Sequence, residues 1–138
     1  MEAKVTWKED LTFIGTADSG FNIQIDTKKT AGGNDSGLTP MELLAIGVAG
    51  CTAMDVISIL TKKRQDVTQF EVQVHAQRAD EYPKKFTAMN IEYVVTGKQV
   101  DPEALARAVE LSEEKYCSAI ASLRGNVEFT HTLTIHEA

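Results

Sequence analysis

Residues 39–64 read TPMELLAIGVAGCTAMDVISILTKKR, and the fold is built around what that stretch must be. Thr39 offers an N-cap hydroxyl, Pro40 stands at the first helical position, and Glu42 is in capping-box register with Thr39. Apolar residues then continue to Leu60. Lys62, Lys63 and Arg64 gather at the negative end of the helix dipole. The segment predicts one long helix, apolar on most of its circumference and buried at the centre of the molecule. Gly47, Gly50, Thr52, Asp55 and Ser58 interrupt it, so no apolar run approaches the roughly 18 residues of a membrane span.

Upstream, side chains alternate with a period of two: Val5 and Trp7, Leu11 and Phe13, then Phe21, Ile23 and Ile25. These are three short strands, with a turn at Asp18-Ser19-Gly20. Residues 27–38, TKKTAGGNDSGL, carry three glycines with Asn, Asp and Ser and predict a mobile loop. Downstream, Val67–Ala76 and Phe86–Val95 predict two longer strands joined by a polar turn around Tyr82-Pro83. Asp101-Pro102-Glu103 opens a second helix, with Leu105, Ala108, Val109 and Tyr116 at helical spacing and Cys117 near its end. Arg124-Gly125-Asn126 is a turn, and Val127–Ile135 a final strand. The order is βββ-α-ββ-α-β. It predicts an α+β fold, with mostly antiparallel sheets wrapping two central helices.

The chain has 138 residues, suited to one domain over 1–138 that buries roughly 68–70% of its unfolded surface. Charged residues make up 25% and the net charge is −6. An acidic surface repels phosphate backbones and anionic lipid, which argues against nucleic-acid and membrane partners. Met1-Glu2-Ala3-Lys4 leads into polar sequence without a signal-peptide core, so the expected location is the cytoplasm. Two cysteines and three histidines (His75, His131, His136) form no CxxC or HxxxH spacing, and no metal or other cofactor is expected.

Cys51 lies in mid-helix and Cys117 at a helix end, 66 positions apart. Free cysteine is often a small, inert core residue, and either position is compatible with that. Around Cys51, however, Gly47, Ala49, Gly50 and Ala53 are unusually small. A helix-interior glycine costs about 1 kcal/mol relative to alanine, so two of them need a packing or functional reason. One such reason is room for a partner element or a ligand beside the sulfur. Two cysteines on two helices are also compatible with a redox pair.

The segment TPMELLAIGVAGC resembles the helix bearing the reactive cysteine in OsmC/Ohr proteins. YCSAIASLRGNVEF resembles the resolving-cysteine region of the Ohr branch, where an Arg-Gly-Asn turn follows the cysteine at the interval seen from Cys117 to Arg124. Element order and length agree over nearly the whole chain. The resemblance implies an intertwined homodimer with sites at the subunit interface. It also implies a thiol-dependent peroxidase for small organic hydroperoxides, in which Cys51 is peroxidatic, Cys117 resolving, and an external dithiol the reductant.

The chain departs from the family pattern in three places, which puts it in an OsmC-like subgroup. It has no arginine before Arg64, where the family draws an activating arginine from its first strands; Lys4 and Lys8 are the only cations there. Met41 stands where the family has a glutamate, with Glu42 one position later, and Ser118 replaces a proline. Nine residues from Glu42 to Cys51 turn about 900°, which puts the two on opposite faces. Glu42 is therefore a capping residue first and a site-supporting one second. Asp55, one turn after Cys51, can reach the same site, where a carboxylate would raise a thiol pKa. The three histidines are expected on exposed strand faces, and Glu110, Glu113 and Glu114 on the solvated face of the second helix. Two functions stand against each other: a cysteine peroxidase, and a non-catalytic homodimeric binding or stress protein that lacks the activating arginine.

Overall fold

The computed structural model describes residues 1–138, which form two compact units, Met1–Leu44 and Ala45–Ala138. In the first unit, β1 (Ala3–Glu9), β2 (Thr12–Ala17) and β3 (Asn22–Ile25) form an antiparallel sheet in chain order. Val5, Gly15 and Ile23 pair in one row, and Trp7, Phe13 and Ile25 in another. The period-two apolar face is thus present. Much of it is uncovered in the single chain, with Val5 59%, Trp7 64% and Phe21 82% exposed.

The glycine-rich segment after β3 differs from the mobile loop that its composition suggests. It folds around Asp26, which is only 2% exposed. The Asp26 carboxylate accepts hydrogen bonds from Thr12 Oγ1 (3.0 Å), Thr27 N (2.7 Å), Asn34 N (3.2 Å), Ser36 N (3.3 Å) and Ser36 Oγ (2.5 Å). Gly37 is glycine for a steric reason, since a Cβ there would lie 2.5 Å from the Gln24 carbonyl oxygen. Led by the Ser36 hydroxyl, these donors hold the Asp26 carboxyl well below the usual carboxylate range despite its burial.

Helix α1 spans Pro40–Lys62, and its start forms as a capping box. Thr39 N donates to Glu42 Oε1 at 2.9 Å, and Glu42 N to Thr39 Oγ1 at 3.2 Å. By length and composition α1 is apolar enough to cross a membrane. Two of its interior polar residues, Thr52 and Asp55, are hydrogen-bonded within the fold.

In the second unit, β4 (Asp66–Arg78), β5 (Phe86–Lys98) and β6 (Glu128–Glu137) form a separate sheet with β5 central. β4 pairs antiparallel with β5. β6 runs parallel to β5, because α2 (Pro102–Leu111) and α3 (Ser118–Leu123) return the chain to the end where β5 began. Met89, Ile91, Tyr93 and Val95 present one buried face of β5. The core joins them to Val48, Val56 and Leu60 of α1, Leu105, Ala108 and Val109 of α2, and Ile120 of α3.

Two expectations are corrected here. Rather than being buried on most sides, α1 buries only the stripe Val48, Thr52, Val56 and Leu60. Leu44, Ile46 and Met54 stay 49%, 52% and 73% exposed, since one chain supplies neighbours for a single i+4 ridge. The second helix is also not continuous. A wide turn at Ser112–Tyr116, closed by Cys117 N donating to Ser112 O at 2.7 Å, makes an i→i−5 bond and separates α2 from α3. The extra residue advances the buried phase by one position, leaving Tyr116 51% exposed and Cys117 3% exposed.

Candidate functional site

The wide turn brings Cys117 to the inner surface of the second unit. Its backbone is extended (φ −74°, ψ 102°), and its thiol caps α3 by accepting from Ile120 N at 3.4 Å. Cys51 is half-buried on α1 and free. The two side chains are neighbours, close enough for Cys51 to act on the Cys117 thiol. Residues 66 positions apart thus converge. Burial, and then the contact with Cys51, raise the Cys117 thiol to about 11 against the opposing Ile120 N–H.

Beside the thiols runs a chain of buried hydroxyls. Thr52, next to Cys51, Ser112 and Tyr93 are each 0% exposed. Thr52 Oγ1 is 2.7 Å from Ser112 Oγ and 2.8 Å from Tyr93 OH. Ser112 Oγ donates to Asp55 Oδ2 at 2.9 Å, and Tyr93 OH donates to Glu113 Oε1 at 3.0 Å. Glu113 Oε2 holds His131 Nδ1 at 3.0 Å, and the Arg124 guanidinium donates to the Glu113 carbonyl at 2.6 Å. Burial raises the Tyr93 phenol well above its ordinary value.

Of the residues singled out from sequence, Cys51 and Cys117 meet and Asp55 lies one link away through Ser112. Glu42 is occupied by its own helix start, and the Thr39 N–H lowers its pKa. One surface expectation is corrected. The Glu113 side chain is only 15% exposed rather than solvated, because the wide turn rotates it toward Tyr93. His131 lies on an exposed strand face as expected, with a 42% exposed side chain anchored on Glu113. Thr52, Tyr93 and Ser112 escaped the sequence reading. Only Thr52 carried a signal there, as a polar residue on an apolar helix beside a cysteine.

The surroundings of Cys51 also answer the question of its glycines. A Cβ at Gly47 or Gly50 would meet nothing within 4 Å, so both border open space on the helix that carries Cys51. No three His, Cys, Asp or Glu side chains converge in a metal-holding group. The arrangement offers two adjacent thiols, one of them held protonated, with a polar relay behind them.

The family described as OsmC-like protein matches residues 32–132. Protein YhfA of Escherichia coli (strain K12) is 42% identical over 135 residues, 98% of each chain. The crystal structure of a hypothetical protein from Aquifex aeolicus VF5 superposes with a TM-score of 0.86 at 30% identity, covering 99% of this chain and 96% of that one. The organic hydroperoxide resistance protein OhrB of Bacillus subtilis superposes with a TM-score of 0.62 at 26% identity, covering 97% and 98%.

Proposed function

This chain belongs to the OsmC-like protein family, and from that premise we propose that it is a thiol-dependent peroxidase that reduces organic hydroperoxides in oxidative-stress defence. The observation that carries the reading is the adjacency of Cys51 and Cys117, which come from separate helical elements. The Cys51 thiolate attacks the distal oxygen of a hydroperoxide. The O–O bond breaks, the departing alkoxide takes a proton and leaves as alcohol, and Cys51 becomes a sulfenic acid. The Cys117 sulfur then attacks the sulfenic sulfur and a Cys51–Cys117 disulfide forms. The departing hydroxide takes the Cys117 proton to leave as water. An external dithiol reduces the disulfide and is itself oxidised, restoring both thiols.

The working form is a homodimer located in the cytoplasm, where a dithiol reductant can act. Support for the dimer comes from apolar surface the single chain leaves open: Val5 and Trp7 on β1, and Ile46 and Met54 on α1. The half-buried Cys51 and its bare glycine flank leave room for a small organic substrate.

The test is consumption of several alkyl hydroperoxides in the presence of a dithiol. Turnover that is abolished in Cys51→Ser supports the reading. Absence of turnover in the wild type leaves the second function, a non-catalytic homodimeric binding protein, which the lack of any arginine before Arg64 favours.

A further inference from the structure

We propose that Ser112 is the positioning residue for the Cys117 thiol, acting through a buried bridge to Thr52 and Asp55. The proposal rests on the reading of Cys51 and Cys117 as a redox pair. Ser112 is fully buried and uses both its backbone and its side chain. Its carbonyl accepts the Cys117 N–H at 2.7 Å and closes the wide turn. Its hydroxyl donates to Asp55 Oδ2 at 2.9 Å and lies 2.7 Å from Thr52 Oγ1. Thr52 directly follows Cys51, and Asp55 lies one helical turn beyond it. A single residue therefore fastens the backbone of one cysteine to the helical turn that carries the other.

The wide turn is what makes this fastening necessary. An uninterrupted α-helix from Pro102 would keep position 116 on the buried face, whereas here Tyr116 is half-exposed and Cys117 is buried. Wide turns are less favourable than continued α-helix, and they recur where function needs them. The Ser112 hydroxyl pins this one at its first residue, so Cys117 Sγ stays opposite Cys51.

Counting hydrogens shows what the bridge requires of Asp55. The path Asp55–Ser112–Thr52–Tyr93–Glu113 has four oxygen–oxygen contacts. Its three hydroxyls supply three hydrogens. With carboxylates accepting at both ends, the Thr52 hydrogen serves only one of its two contacts. An asparagine at 55 would donate an amide N–H to Ser112. Ser112 would then donate to Thr52, Thr52 to Tyr93 and Tyr93 to Glu113, so all four contacts would hold a hydrogen. The bridge thus depends on hydrogen bonding at position 55 and not on its charge.

The experiment is the dithiol–disulfide equilibrium of the full-length protein in glutathione buffers, which reports the effective concentration of one thiol toward the other. Ser112→Ala should lower that equilibrium constant by about tenfold or more, as loss of preorganisation does. Asp55→Asn should stay within about threefold of wild type by the same measure. Thr52→Val keeps the side-chain shape and removes the α1 arm of the bridge, so it should fall as Ser112→Ala does, and it serves should Ser112→Ala not fold. A merely structural role would lower the unfolding midpoint of the reduced and disulfide forms alike and leave their equilibrium unchanged. That result would overturn the proposal, as would an Asp55→Asn value as low as that of Ser112→Ala. Should the wild type form no Cys51–Cys117 disulfide even in the most oxidising buffer, the redox reading fails and takes this inference with it.

Discussion

Replacing Tyr93 with phenylalanine removes one oxygen atom from the buried relay and leaves the ring in place. Tyr93 is 0% exposed, and its hydroxyl lies 2.8 Å from Thr52 Oγ1 and 3.0 Å from Glu113 Oε1. The neutral contact contributes about 1 kcal/mol net and the one to a carboxylate about 1.5–3 kcal/mol. Burying a phenylalanine ring without its hydroxyl returns part of that, so the expected loss is about 2 kcal/mol. In urea, with a slope near 2 kcal/mol per molar, the midpoint should fall by about 1 M. Protein concentration must be held fixed, because association adds to apparent stability. A double-mutant cycle with Thr52→Val should show about 1 kcal/mol of coupling, since the two residues share a contact. Burial raises the Tyr93 phenol above its unfolded value, so its contribution is present below about pH 10 and is lost as pH rises further. A midpoint within about 0.25 M of wild type, equivalent to about 0.5 kcal/mol, would refute the placement of the Tyr93 hydroxyl in the buried relay.

Asp26→Asn tests the folded segment after β3. The native carboxyl is depressed, so its stabilisation is fully present above the unfolded value of about pH 4 and fades as pH falls toward the folded one. The variant should be less stable at pH 7 and lose less between pH 5 and pH 3, as urea unfolding at each pH will read. With its thiol at about 11, Cys117 is ionised to roughly one part in a thousand at pH 8, so iodoacetamide should label Cys51 first in the native reduced protein. Equal labelling would contradict the burial of Cys117. Sedimentation at low micromolar concentration should give twice the 15.1 kDa chain mass. Gly47→Ala should weaken that association, although in an uncovered helix it would add about 1 kcal/mol of stability.

How much of this could be read in the sequence varied with the range of the interaction. The Thr39–Glu42 capping box, the Asp101 cap of α2 and the Gly125 turn were legible because each is decided within four residues. Alternating and strand-like apolar runs locate all six strands, but not the parallel pairing of β6, which depends on where the helical return delivers the chain. The glycines of residues 27–38 spoke for mobility, while the organising group, Asp26, sat just outside the segment. The wide turn at Ser112 leaves no compositional mark, since a slip from i→i−4 to i→i−5 bonding asks nothing special of Ser-Glu-Glu-Lys-Tyr. Its consequences, Cys117 turned inward and Glu113 drawn off the solvated face, were therefore out of reach. The two cysteines stand out in the sequence, their roles come from resemblance, and their meeting is a property of the fold.

The central claim is that Cys51 reacts first and Cys117 resolves it. The measurement that tests this most directly is thiol mass spectrometry after one equivalent of an organic hydroperoxide. In the wild type, both free thiols should disappear together into an intramolecular Cys51–Cys117 disulfide. In Cys117→Ser, a sulfenic acid should persist at Cys51, trap with a carbon nucleophile, and over-oxidise with excess peroxide. In Cys51→Ser, Cys117 should remain reduced. Oxidation of Cys117 ahead of Cys51, or independent reaction of the two thiols, would contradict the mechanism while leaving the family assignment intact.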